Sequence, residues 1–102
     1  MSRILVLYNQ PADPAAFDKH YFERHVPIAK AIPGLRSYIV NSGSVIHTGA
    51  GQAPYLIAEL EFDSMSDVQK AFASAEGIAT AADLGNFAQA GVTILAFDTR
   101  SV

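Results

Sequence analysis

Apolar and polar positions along this chain fall into six segments with two distinct periods. Residues 3–9, Arg-Ile-Leu-Val-Leu-Tyr-Asn, form a continuous apolar run, too short for a helix and rich in strand formers, which predicts a first strand. Ile4, Val6 and Tyr8 share one face and Leu5 and Leu7 the other, and both faces are expected to be buried. Gln10-Pro11-Ala12-Asp13-Pro14 ends the strand, with Asp13 suited to cap a helix and Pro14 to open it. From Pro14 to Ile32, Phe17, Tyr21, Ile28 and Ile32 recur at helical spacing, and Phe22 and Val26 widen the stripe. Pro27 lacks an amide proton and crowds the carbonyl of Glu23, so the helix should kink or end its first part there. Pro33-Gly34 closes it.

Leu35 to Ser42 reads as a second strand, and a Gly- and Ser-rich loop from Gly43 to Ala53 follows, carrying His47. Tyr55 to Phe62 alternates, with Leu56, Ala58, Leu60 and Phe62 on one side and Tyr55, Ile57, Glu59 and Glu61 on the other. Ser64 or Ser66 opens a helix striped by Met65, Val68, Ala71, Phe72 and Ala75 and closed by Gly77. Ile78 to Ala90 is alanine-rich and interrupted by Gly85, which predicts a short helical turn and a loop around Leu84 and Phe87. Val92 to Asp98 is the last strand. The order predicts an α+β, ferredoxin-like βαββαβ domain over residues 1–102, a four-stranded antiparallel sheet with two helices on one face. Two helices cover only one sheet face, yet the first and last strands are apolar on both, so the free face should pack on the sheet of a second copy.

Composition supports the same picture. Hydrophobic residues make up 50% of the chain and charged ones 17%, low for a small domain covering its own surface. A net charge of −3 without a basic run argues against nucleic acid as a partner. No apolar run is long enough for a membrane span, and Met1-Ser2-Arg3 leads into a strand rather than a signal segment, so a cytoplasmic protein is expected. The absence of cysteine excludes disulfides and thiolate chemistry. Gly49-Ala50-Gly51 precedes no helix and lacks the context of a phosphate loop, and nothing suggests haem or flavin.

Tyr8 with Pro11, Asp13-Pro14 and Phe17, then Tyr21, His25 with Pro27, Ile28 and Ala29, then Pro33-Gly34-Leu35 and Tyr38, resemble the EthD-like branch of the dimeric α+β barrel superfamily. The resemblance runs over nearly the whole chain and is most specific from Tyr21 to Leu35. It implies a homodimer closed through the sheet faces and a small pocket between each sheet and its helices. It also implies cofactor-free chemistry: monooxygenation of phenols and quinols, lactone isomerisation, or polyketide cyclisation and dehydration. The branch takes its name from an ether-degradation gene cluster.

His25 is the best candidate for that chemistry, because an imidazole gives or takes a proton near neutral pH. It lies on one helix face with Phe17 and Tyr21, so it would act as acid or base on an enolisable or phenolic substrate, with Tyr21 orienting ring or substrate. The structural alternative is a half-buried histidine bonded to a carbonyl freed near Pro27. Tyr8, Tyr38 and Tyr55 on strands, with Phe17, are candidate lining for a small apolar molecule, though each could simply fill the core. His20 lies five residues before His25, about 140° around a regular helix, so the two rings should diverge and not share a metal. That spacing, with His47 in a loop, argues against a metal site, and Glu59 with Glu61 reads as a solvated edge rather than a catalytic pair. The sequence thus predicts a small cofactor-free enzyme, oxidoreductase or isomerase and cyclase, with a non-catalytic binding module as the rival.

Overall fold

The computed structural model describes residues 1–102. Strands β1 (Ser2–Tyr8), β2 (Ser37–Val40), β3 (Leu56–Phe62) and β4 (Val92–Asp98) form one antiparallel sheet in the order β2-β3-β1-β4. This is the ferredoxin-like βαββαβ arrangement, and the last strand has the bounds its apolar run predicts.

Register sorts the side chains. Val6 pairs with Ala58 and Ile94, so even-numbered residues of β1 share a face with the even-numbered residues of β3 and β4. Ile4, Val6, Tyr8, Leu56, Ala58, Leu60 and Phe62 are all buried on this face, beneath the helices. The opposite face carries Leu5, Leu7, Ile39, Ile57, Leu95 and Phe97 and has no helix over it. There the expected burial fails within one chain: Leu5 and Leu7 are half-buried, and Ile39, Leu95 and Phe97 are exposed. Arg3 crosses the same face to Glu59 at 3.3 Å and Glu61 at 3.5 Å, so the two carboxylates share a cation.

The first helical segment has three parts: α1 (Pro14–His20), a π-helical turn (Tyr21–His25) and α2 (Val26–Lys30). Asp13 caps it by accepting from the Ala16 amide at 3.1 Å, with Pro14 in the first turn, where its missing donor costs nothing. The helix does not end at Pro27. Instead the ladder widens just before it, the Val26 amide donating to the Tyr21 carbonyl five residues back, and αR backbone angles continue through His25 and Val26. Phe22 is on the solvent side, so the buried stripe is narrower than its sequence suggests: Phe17, Tyr21, His25, Ala29 and Ile32.

The second half differs more. Helix α3 (Met65–Ala73) starts at Ser64, whose hydroxyl accepts from the Asp67 amide at 3.2 Å; Val68 and Ala71 are buried while Phe72 is exposed. Gly77 does not close α3. The chain turns at Ser74, whose hydroxyl donates to the Ala71 carbonyl at 2.7 Å and accepts from the Gly77 amide at 2.9 Å, ending one helix and capping the next. Residues Ala75–Phe87 then form α4, a full helix where a turn and a loop were predicted. Its alanines favour helix, and packing on α2, α3 and the π turn outweighs the two glycines.

Candidate functional site

The π turn decides what this helix can present. In a regular α-helix His20 and His25 would point apart, as the sequence reading expects. A π turn closes its hydrogen bonds over five residues, so positions five apart come round to the same side. Both rings therefore meet one carboxylate, that of Asp83 on α4, correcting the expected divergence. His25 Nδ1 lies 2.8 Å from Asp83 Oδ2, and His20 Nε2 lies 2.9 Å from Oδ1 and 3.0 Å from Oδ2. Asn86 donates to Oδ1 at 3.0 Å. Asp83 and Phe87, one turn apart on α4, both face this helix, and the Phe87 ring stacks on His20 and touches His25.

Burial and hydrogen bonding set the protonation. Burial pushes the Asp83 carboxyl up, but donation from Asn86, His20 and His25 outweighs it and holds the group below its usual value, so it is ionised at neutral pH. His25 is only 3% exposed, and this burial lowers its pKa below 6.5 despite the opposing pull of Asp83. At pH 7 the imidazole is neutral. An ionised carboxylate can only accept, so the single ring proton sits on Nδ1 and Nε2 is unprotonated.

His25 lines a cavity of about 70 Å³ between helices and sheet, together with Tyr8, its neighbour at Nε2. One ordered water needs about 10–15 Å³ on this measure, so the space suits a small molecule. Its wall is mostly apolar, with Ile4, Val6, Leu60 and Ile94 from strands and Ala81 and Leu84 from α4; it contains no arginine or lysine. Polar groups come from Tyr8, Tyr21, Tyr38, His25 and Thr80. The Tyr8 hydroxyl is 3.5 Å from Nε2, a long contact, while Tyr21 and Tyr38 join hydroxyls at 2.5 Å. Burial raises the pKa of Tyr8, Tyr21 and Tyr38 above 10.0, keeping all three as neutral donors.

Of the residues singled out in the sequence, His25, Tyr21, Tyr8 and Tyr38 meet at the cavity. Phe17 and Tyr55 do not. Phe17 packs behind Tyr8 and Tyr21, and Tyr55 turns toward α1, its ring against Phe17 and its hydroxyl donating to Asp18 at 2.8 Å. His25 bonds a carboxylate rather than a carbonyl freed by Pro27. Asp83 and Asn86 were missed because their segment was read as turn and loop; the spacing of Thr80, Asp83, Leu84 and Phe87, one helix face, was the available signal. No group of three or more His, Cys, Asp or Glu side chains is arranged to hold a metal ion. No helix is long and apolar enough to cross a membrane.

Known proteins share both the sequence and the fold. A protein from Rhodococcus erythropolis, an uncharacterized 11.0 kDa protein encoded in the thcB-thcC intergenic region, is 42% identical over 102 residues, covering 100% of this chain and 98% of its own. The crystal structure of an ethyl tert-butyl ether D (EthD) family protein from Bacillus halodurans superposes with a TM-score of 0.85 at 34% identity, covering 98% of this chain and 99% of the other. At the level of fold alone, SnoaB, a cofactor-independent oxygenase from Streptomyces nogalater, matches with a TM-score of 0.63 at 14% identity, over 99% of this chain and 93% of its own. Residues 9–91 match the EthD domain, and the chain belongs to the EthD family.

Proposed function

We infer that this protein is a small cofactor-free enzyme in which His25 removes a proton from a compact, neutral, largely apolar substrate. One observation carries the reading: Asp83 occupies Nδ1 of a buried, neutral imidazole that lines an apolar cavity, leaving Nε2 for a substrate proton. Without a cation in its wall, the cavity favours a phenol, quinol or enolisable carbonyl compound over a carboxylate or phosphate. The neutral tyrosine hydroxyls would donate to the oxyanion left when the proton moves to Nε2. The fold shared with SnoaB supports an oxygenase branch. There the deprotonated substrate gives its electrons to dioxygen, one oxygen atom entering the product and the other leaving as water. In the isomerase or cyclase branch, His25 returns the proton at another atom.

The test is oxygen uptake and deuterium exchange from D2O, measured on neutral phenols, quinols, cyclic ketones and lactones across pH 4–9. Uptake marks the oxygenase branch, and exchange without uptake the isomerase branch. Because His25 must be neutral to act and its pKa lies below 6.5, the rate should be flat at pH 7 and decline only as the pH falls below about 6.5. A rate that climbs toward acid would contradict a histidine base, and ligand binding with neither uptake nor exchange would favour the binding module.

The uncovered sheet face supports a homodimer. Leu5, Leu7, Ile57, Leu95 and Phe97 form an apolar patch on it, the kind that association removes from water, bordered by the Arg3, Glu59 and Glu61 charges, with Ile39 beyond Glu59. Leu95→Glu, at a position already exposed in one chain, should leave the subunit folded and yield monomers in sedimentation at micromolar concentration. Unchanged dimers would place the interface elsewhere.

A further inference from the structure

Two hollows adjoin the side chains that hold the Asp83 carboxylate. The inner one is the cavity lined by His25. The outer one is a solvent-open groove against Phe17 and Phe87, with His20, Asn86 and Gln89 on its wall. No residue lines both. Asp83 belongs to neither lining but takes hydrogen bonds from each: His25 from the inner side, His20 and Asn86 from the outer.

We propose that His20 is a positioning residue for His25, fixing the Asp83 carboxylate from the outer groove and thereby the orientation and proton placement of the imidazole in the inner cavity. His20 touches both carboxylate oxygens, at 2.9 and 3.0 Å, and this two-point contact opposes rotation of the carboxylate plane. Its own ring is held by stacking on Phe87, centroids 5.1 Å apart at 20°. The carboxylate so fixed presents Oδ2 to His25 Nδ1, which selects the tautomer with Nε2 unprotonated.

The same arrangement couples the two rings by charge. The titratable groups around His25 are Tyr8 on β1, Tyr38 on β2, Tyr21 and His20 on its own helix, and Asp83 on α4. The tyrosines stay neutral through the working range, leaving Asp83 and His20 as the groups whose charge matters. One carboxylate offsets one added proton well and a second poorly, so a proton at His20 opposes protonation of His25. His20 thus helps keep the buried ring in its basic form.

The proposal concerns the site read above and rests on His25 being its base, but the test reads the imidazole directly. Histidine 15N spectra of the full chain would be recorded through a pH titration for the wild type, His20→Leu and His20→Gln. Glutamine keeps an N–H near the position of Nε2 and cannot ionise. The expected result for His20→Leu is an unchanged amide spectrum, a mixed or broadened His25 tautomer, an upward shift of its titration midpoint, and a rate lower by about tenfold, the order found for groups that orient a functional histidine. His20→Gln should restore the single tautomer and the rate while keeping the raised midpoint. An unchanged His25 tautomer and midpoint in His20→Leu would overturn the proposal, as would a folded His20→Gln with no restored tautomer. If His20→Leu does not fold, the midpoint of His20→Gln decides: raised supports the coupling, unchanged overturns it. Should His25→Gln keep full turnover while His20→Leu still moves the His25 signals, the base reading fails and the coupling stands.

Discussion

His25→Gln should give a folded protein that has lost its turnover, and Asp83→Asn should come close to it without touching the substrate. A positioned base contributes about 10²–10⁴-fold, and that is the loss expected for His25→Gln. The second variant is more instructive because it keeps the shape and changes one donor pattern. In the native site Oδ1 of Asp83 accepts from both His20 and Asn86, while Oδ2 accepts from His25 and His20. An asparagine has one carbonyl oxygen; the Asn86 NH2 at the Oδ1 position can only donate, whereas His25 Nδ1 can accept by changing tautomer, so the new asparagine keeps its oxygen in the Oδ1 place. Its NH2 is then turned toward His25 Nδ1, which must accept. The ring proton moves to Nε2, and the base is blocked. Rate measurements at pH 7, with circular dichroism to confirm folding, check both variants; wild-type rates in a folded Asp83→Asn would show that the carboxylate does not set the tautomer.

Gly77→Ala should destabilise the protein despite being the mildest possible change to an alanine-rich helix. A Cβ on Gly77 would fall 1.9 Å from the Ala71 carbonyl oxygen and 3.1 Å from the Ser74 hydroxyl. Neither neighbour can give way easily, because the Ser74 hydroxyl already joins the two helices by bonding Ala71 and Gly77. Overpacking of this kind costs about 1–3 kcal/mol, and for a domain of this size that is roughly 5–20 °C in melting temperature. Gly77 also lines the cavity, so the shift of α4 that relieves the clash would move Thr80 and Asp83 with it. Thermal unfolding measures the first effect. A melting temperature equal to wild type would mean that the corner between α3 and α4 relaxes freely.

The strands and the first helix were legible because local chemistry and burial agree there. Asp13 and Pro14 mark the helix start, and the alternation of Leu56, Ala58, Leu60 and Phe62 matches their burial. Tyr21 and His25 were correctly placed on the inward face, since four-residue spacing survives the widening of the turn. The partner of His25 was hidden for two physical reasons. Gly77 signals a helix end by propensity, whereas here it answers a steric demand inside the next helix, and the segment holding Asp83 was therefore read as loop. Pro27 signals a disturbed ladder but not the form of the disturbance: a kink would have left His20 and His25 apart, whereas the π turn brings both to Asp83. Tyr55 was misplaced because it precedes β3 rather than continuing its alternation, which frees it to face Phe17 and Asp18.

A pH dependence of stability follows from the same groups. His25 binds protons less readily folded than unfolded, so the stability associated with its neutral form is complete above about pH 6.5 and declines as the pH falls through the lower, folded value. Asp83, also depressed, adds a loss below its usual 3.8. Both losses lie on the acid side.

The most direct measurement is the 15N spectrum of His25 in the unmodified protein at pH 7. A neutral ring protonated at Nδ1, with Nε2 resonating as an unprotonated nitrogen, is the predicted result. A ring protonated at Nε2, or a charged imidazolium, would contradict the assignment of His25 as a base held by Asp83.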